Sequence, residues 1–229
     1  GWEDCGALEY IVTASELLTY VAEKKHIRPE QIAPLGIPAR RRFRTKTPKA
    51  EARRALGFDE DRGIILIMGG SMGFGNMINN VSAVDHMDTG YQIVCICGNN
   101  DKLRKQLTYL KTNSPITVRG FVDNVDAYMD AADCIVTKPG GLTVTEALCK
   151  RLPMILVNPI PGHEERNVEF LMNNGAAVRV SPTFSVCEAV YYITRNPERL
   201  EYMSRCIELI AKPAAAERIC GLAQSLCGR

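Results

Sequence analysis

The segment Ile64-Ile65-Leu66-Ile67-Met68-Gly69-Gly70-Ser71-Met72-Gly73 reads as an apolar strand running into a glycine-rich turn, with a helix opening near Met77. Glycines at such a turn let backbone amides approach a phosphate closely, and the helix N-terminus adds positive potential. A tight strand-to-helix corner with no ligand is the plainer reading of the same residues. Gly70, Gly73 and Gly75 match a dinucleotide fingerprint only loosely, and Gly98-Asn99-Asn100 stands where the acidic ribose partner of such a site belongs. Plain NAD binding is therefore disfavoured.

A second turn repeats the pattern more sharply: Asp133-Cys134-Ile135-Val136-Thr137-Lys138-Pro139-Gly140-Gly141-Leu142-Thr143-Val144-Thr145-Glu146 again runs strand, glycine turn, helix. Thr143 falls in the first turn of the new helix, where its hydroxyl and the open amides can serve a phosphate oxygen. Glu146, three residues on and on the same face, either completes a capping box or accepts two hydrogen bonds from a ribose diol. Lys138 reads equally as a diphosphate counter-ion or a solvated strand-end charge. A third loop, Asn158-Pro159-Ile160-Pro161-Gly162-His163-Glu164-Glu165-Arg166-Asn167, follows the next strand. All three loops lie at carboxyl ends of expected parallel strands, the edge on which open α/β sheets bind ligands. Together they favour a phosphate-bearing ligand more than any one motif does.

The elements that must position these loops are short apolar β-rich runs alternating with longer amphipathic stretches, the pattern of βαβ units. Strands are expected over Ile64 to Met68, Gln92 to Cys97, Ile116 to Arg119, Cys134 to Thr137, Met154 to Val157 and Ala176 to Val180. Helices are expected over Met77 to Met87, Asp101 to Lys111, Ala127 to Ala131, Thr143 to Lys150 and Glu165 to Asn173. Two more helical stretches follow, one with Pro197 near its start and one starting at Pro213. The fold class is α/β, a Rossmann-like, mainly parallel sheet with helices on both faces. Before residue 60 the pattern differs: a strand over Tyr10 to Thr13, a helix from Ser15, a strand over Ile32 to Leu35 and a charged connector from Lys46 to Arg54. Gly1-Trp2-Glu3-Asp4 has neither an initiator methionine nor a helix cap and reads as the interior of a longer chain.

At 229 residues and 46% hydrophobic content the chain supports one main core. A formal charge of +2 gives no general case for nucleic acid, and Arg40-Arg41-Arg42 is a local exception, read as a solvated loop or as a membrane or ligand contact. Nine cysteines, with no Cys-x-x-Cys pair, fit neither a disulfide framework nor a zinc site and point to the cytoplasm. Strand alternation places Cys95 and Cys97 on one sheet face as small core residues. No apolar run approaches the ~20 residues a membrane span needs, and no signal-peptide layout opens the chain. His26 and His86 fall in helical stretches without ligand-spaced partners, and no metal site is expected.

Val136-Thr137-Lys138-Pro139-Gly140-Gly141-Leu142-Thr143-Val144-Thr145-Glu146-Ala147, followed by Pro159-Ile160-Pro161-Gly162-His163-Glu164-Glu165-Arg166-Asn167, strongly resembles the processive diacylglycerol glucosyltransferases and monogalactosyldiacylglycerol synthases. It is more distantly similar to the peptidoglycan N-acetylglucosaminyltransferase. The resemblance implies a GT-B architecture in which a C-terminal Rossmann-like domain holds a UDP-sugar and a separate N-terminal domain holds the acceptor. Residues 1–40 would be the remnant of that acceptor domain and its linker, and 41–229 the donor domain. By position, the resemblance implies that Gly70, Ser71 and Gly73 contact phosphates and that Phe121 and Val122 present backbone to uracil. It likewise implies Gly141, Leu142 and Thr143 at the diphosphate, Glu146 at the ribose, and Glu164, Glu165 and Asn167 on the sugar side. His163 stands where the family usually has Gln, which leaves that sugar contact open.

The whole enzyme implied by this resemblance transfers a hexose from UDP to a diacylglycerol-type lipid hydroxyl with inversion, peripheral to a membrane surface. Its acceptor base is expected on the domain outside this chain. The helix N-termini at Met77 and Leu142, with Lys138, would offset the charge growing on departing UDP, so no metal cofactor is expected. Rival readings are a UDP-N-acetylglucosamine-using transferase or 2-epimerase and, in another class, a non-catalytic nucleotide-binding module.

Overall fold

The computed structural model describes residues 10–16, 27–70, 76–87, 89–162 and 164–228. Ser71, Gly73, His163, His26 and all but the first residues of the helix expected from Ser15 lie outside the described residues. The chain divides into two compact units, one of residues 1–44 and 212–229, the other of residues 45–211.

In the larger unit, six strands form an all-parallel sheet: β3 (Ile64–Met68), β4 (Gln92–Ile96), β5 (Ile116–Arg119), β6 (Cys134–Thr137), β7 (Met154–Leu156) and β8 (Ala177–Arg179). Their order is β5-β4-β3-β6-β7-β8. A parallel sheet covered on both faces asks for strands that are apolar at every position rather than at alternate ones. Ile64-Ile65-Leu66-Ile67-Met68 and, after the polar Gln92, Ile93-Val94-Cys95-Ile96 meet that demand, and both strands are buried throughout. β5, at the edge, is half-exposed. The expected strands all appear, with ends trimmed by one or two residues at β4, β7 and β8.

Helices cover both faces: α1 (Lys49–Leu56), α2 (Met77–Asp85), α3 (Asp101–Thr108), α4 (Val125–Ala131), α5 (Gly141–Cys149), α6 (Glu165–Asn173), α7 (Val186–Thr194) and α8 (Pro197–Ile210). One face of the sheet packs Ile65, Ile67, Ile93 and Val136 against Met77 and Val81 of α2, Leu107 of α3 and Val190 of α7. Cys95 and Cys97 lie in this same cluster, as alternation requires, and burial pushes the Cys97 thiol up to about 11. Such thiols are packing groups, not nucleophiles.

Two elements depart from expectation. Lys46 to Arg54, read as a charged connector, holds the helix α1, because its charges are partnered rather than solvated. The Asp133 carboxylate accepts hydrogen bonds from Arg53 Nη2 at 2.7 Å, from Lys49 Nζ at 2.6 Å and from the Ile64 amide at 2.8 Å. α7 had no counterpart among the expected helices, yet Ser185 and Glu188 form a full capping box at its start.

The smaller unit pairs β1 (Ile11–Val12) in parallel with β2 (Ile32–Ala33), shorter than the strands expected there. It also contains α9 (Ala215–Cys227), which starts after Pro213 rather than on it. Ion pairs of Arg44 with Glu217 and of Lys212 with Glu16 draw the C-terminal segment into this unit.

Deep in the larger unit, Lys150 Nζ bonds Asp130 Oδ2 and the Thr45 carbonyl, each at 2.6 Å, with both charged side chains almost fully buried. Removing one partner strands the other charge, so Lys150→Met is expected to cost about 3–5 kcal/mol in urea unfolding. Asp85, also buried, accepts the amides of Asn113 and Ser114. Burial pushes its carboxyl up, but the Ser114 and Asn113 amides outweigh that and hold it below the ordinary 3.8. The stability this depressed group supplies is present above that value and lost as pH falls through its folded pKa. Asp85→Ala should therefore cost about 2 kcal/mol at neutral pH. The gap from the parent protein should close in urea unfolding series taken on the acid side of 3.8.

Candidate functional site

β3 and β6 are neighbours at the middle of the sheet, yet β3 is followed by β4 on one side and β6 by β7 on the other. The strand order reverses between them, so the loops leaving their carboxyl ends diverge and open a crevice. Met68 pairs with Thr137 in register. Gly69 and Lys138 consequently leave the sheet at one level, which brings the two glycine turns to opposite lips of the crevice.

On the β3 side Gly69 is buried and Gly70 takes φ +72°, the left-handed region that a side chain enters only with strain. α2 then starts at Met77, and the side chain of its N-cap residue, Asn76, makes no capping hydrogen bond. On the β6 side Lys138 is half-buried and Pro139 buried. Gly140 is the N-cap of α5 with φ −69° and ψ 136°, again with no side-chain cap. The capping-box reading of Glu146 is thereby excluded, since the cap position is Gly140 and Glu146 lies beyond the first turn. Glu146 is half-buried, and Leu142, in that first turn, is 67% exposed. In neither helix does the N-cap residue's own side chain serve the first-turn amides. By contrast, α3 at the same edge is capped by the Asn100 side chain on the Leu103 amide. A cavity of about 300 Å³ lined by Asn76, Met77, Asn100 and Lys102 opens between the starts of α2 and α3.

The loop after β7 closes toward the β6 turn. Asn158 at φ +46° and Gly162 at φ +81° bend it sharply. Glu164 donates its amide to the Ile160 carbonyl at 3.0 Å and accepts the Ile160 amide on Oε2 at 2.8 Å. Asn167 Nδ2 donates to the Pro139 carbonyl at 2.8 Å, tying this loop to the Lys138-Pro139-Gly140-Gly141 turn. The other Glu164 oxygen lies beside Gly140. Glu165, first residue of α6, is gripped by Arg179 at the end of β8, through bonds of 2.9 and 3.1 Å.

The structure therefore gathers Gly70, Lys138, Gly141, Leu142, Thr143, Glu146, Glu164 and Asn167 around adjacent strand ends. Phe121, 63% exposed, and half-buried Val122 stand farther along the rim, after the edge strand β5. Arg179 escaped the sequence reading, although a lone arginine closing the last parallel strand at this same edge was a usable signal. Among the described residues no group of three or more His, Cys, Asp or Glu side chains is placed to hold a metal ion.

Comparison with known proteins agrees with this geometry. Residues 64–219 match the model of the glycosyltransferase family 28 C-terminal domain. A processive diacylglycerol beta-glucosyltransferase of Bacillus pumilus (strain SAFR-032) is 32% identical over 77% of this chain and 47% of its own length. Monogalactosyldiacylglycerol synthase 1, chloroplastic, of Arabidopsis thaliana is 34% identical over 86% of this chain and 39% of its own length. The chain thus spans about half, or less, of the curated relatives it matches. Among solved structures, MurG of Acinetobacter baumannii superposes with a TM-score of 0.63 at 24% identity, over 80% of this chain and 55% of that one. CalG4, the calicheamicin glycosyltransferase, gives 0.64 at 18% identity, over 96% of this chain and 53% of that one. Both share its fold, that of one half of a GT-B glycosyltransferase. With its β3 to α9 span matched almost end to end, the chain belongs to glycosyltransferase family 28 and carries that family's C-terminal domain.

Proposed function

We propose that this chain is the donor-binding part of an inverting hexosyltransferase that takes UDP-hexose and delivers the sugar to a diacylglycerol-type lipid. The observation that supports this reading is that the two strands at the reversal of order, β3 and β6, are each followed by glycine and then by a helix whose N-cap residue, Asn76 or Gly140, makes no side-chain capping bond. A diphosphate bridging that crevice would take its hydrogen bonds from the amides of Gly141, Leu142 and Thr143 on one lip. On the other it would meet Gly70 and the turn that holds Ser71 and Gly73. Glu146 would accept the ribose diol, Phe121 and Val122 would meet uracil, and His163, Glu164 and Asn167 would face the sugar. The lipid acceptor is inferred from the activities for which the relatives are named, and residues 1–40 are read as the end of the acceptor domain and its linker.

In the reaction the acceptor hydroxyl oxygen attacks the anomeric carbon from the face opposite UDP. The bond from that carbon to the β-phosphate oxygen breaks, and the hydroxyl proton passes to a base on the acceptor domain. Negative charge grows on the departing diphosphate, where the two helix N-termini and the Lys138 ammonium lower its energy. This positive potential does the work that a divalent cation does in other transferases, so transfer is proposed to need no metal. No helix among the described residues is long and apolar enough to cross a membrane, and the full enzyme is proposed to meet its lipid at the cytoplasmic membrane surface.

Calorimetry of the folded chain with UDP should show binding, and an absence of heat would sink the nucleotide reading. Glu146→Ala removes charge-assisted hydrogen bonds and should weaken UDP about tenfold or more. Leu142→Asp offers a sharper separation of binding from folding. A carboxylate in the first turn of α5 should leave stability equal or raise it by about 0.3–1 kcal/mol. The same charge should repel the diphosphate and cut UDP affinity by at least about tenfold, read in the same titration.

A further inference from the structure

Arg179 and Glu165 form a two-bonded pair at the carboxyl edge of the sheet, with about a third of each side chain exposed (36% and 34%). A guanidinium gripping both oxygens of one carboxylate fixes its angle as well as its distance, which a point charge does not do. Glu165 opens α6, directly after the loop of residues 158–164. Within one turn, three neighbouring side chains run to three different places. Glu164 closes the loop on Ile160, Asn167 reaches the Pro139 carbonyl, and Glu165 alone reaches the sheet. The loop it steadies includes Asn158 at φ +46°, a conformation a non-glycine residue keeps only when its surroundings hold it.

We propose that Arg179 is a positioning residue for the sugar end of the donor: by clamping Glu165 it sets the first turn of α6, and with it the 158–164 loop that meets the hexose. Glu165 on this account is a brace, because both its oxygens are engaged by one partner, and the sugar contacts fall to its neighbours Glu164 and Asn167. The diphosphate end stands on β3, β6 and their helices and does not depend on this clamp. The role rests on the UDP-hexose reading above, and the test separates the two.

The experiment compares the parent chain with Arg179→Met, Arg179→Lys, Glu165→Gln and the exchanged pair Arg179→Glu with Glu165→Arg. Each is titrated calorimetrically with UDP, UDP-glucose and UDP-galactose. Arg179→Met and Glu165→Gln should weaken the UDP-hexose the parent prefers by about tenfold while leaving UDP within about twofold, and the exchanged pair should recover most of that loss. Arg179→Lys keeps the charge but not the two-bonded grip, so it should show the same selective loss in a protein certain to retain its charge balance. Equal weakening of UDP and UDP-hexose, or none of either, would overturn the positioning role. Hydrogen exchange of the unliganded proteins provides a readout independent of ligand. The segment 158–168 should exchange about tenfold faster in Arg179→Met and Arg179→Lys, with β3 and β6 unchanged. If the parent binds no UDP, the nucleotide reading fails, and unchanged exchange in that segment would dispose of the brace as well.

Discussion

The reversal of strand order between β3 and β6 is the constraint from which the site follows. In a parallel sheet each connection must cross over as a helix, and right-handed crossovers send successive strands steadily outward. Beginning at the centre, building to β5 and then returning to start again at β6 forces the two central loops to part. The register of Met68 against Thr137 then decides which residues stand at the lips of the gap, Gly69 and Gly70 after one strand and, after the other, Gly140 and Gly141, which open α5. A ligand with negative charge near its middle suits such a gap because amide dipoles from two helices add there without any side chain having to be ionised.

The opposite edge of the sheet is treated differently. There Asp133 gathers Arg53, Lys49 and the Ile64 amide, fastening α1 to the strand entrances with charges that satisfy one another. Lys150 and Asp130 form a second buried pair, whose ammonium also holds the Thr45 carbonyl at the beginning of the larger unit. Buried pairs of this kind add little net stability over apolar packing, but they punish any arrangement that separates them. They thus specify where the chain must enter the domain. One edge spends its polar groups on internal fasteners, while the other leaves backbone donors open at the centre.

How much of this could be read from the sequence depended on whether a residue's partner was local. The strands were legible because Ile64 to Met68 and Ile93 to Ile96 are continuously apolar, and burial on both faces leaves no other use for such runs. The two glycine turns were legible because strand, turn and helix follow one another directly. α1 was not, because its charges looked solvated until Asp133, about eighty positions away, supplied the counter-charge. α7 had a local signal in Ser185 and Glu188 that went unused. At the site, Gly70, Lys138, Glu146 and Glu164 fall where their spacing placed them. Asn167 and Glu165 were legible as members of the loop but not as fasteners, since Pro139 and Arg179 lie on other elements.

Those two fasteners change what kind of object the site is. Without them, the loops after β3, β6 and β7 would be three independent lips, each free to adjust to a ligand at its own cost. The Asn167 bond to the Pro139 carbonyl joins the first turn of α6 to the end of β6 before the glycine turn. The Arg179 grip on Glu165 ties the start of α6 to the end of β8, the outermost strand on this side. On the proposed reading the sugar end would rest on the sheet's edge and the diphosphate end on its centre. Changes in β8 or α6 would then alter which sugar fits the proposed site while leaving the proposed phosphate contacts as they are, because the two ends of such a ligand would rest on different strands.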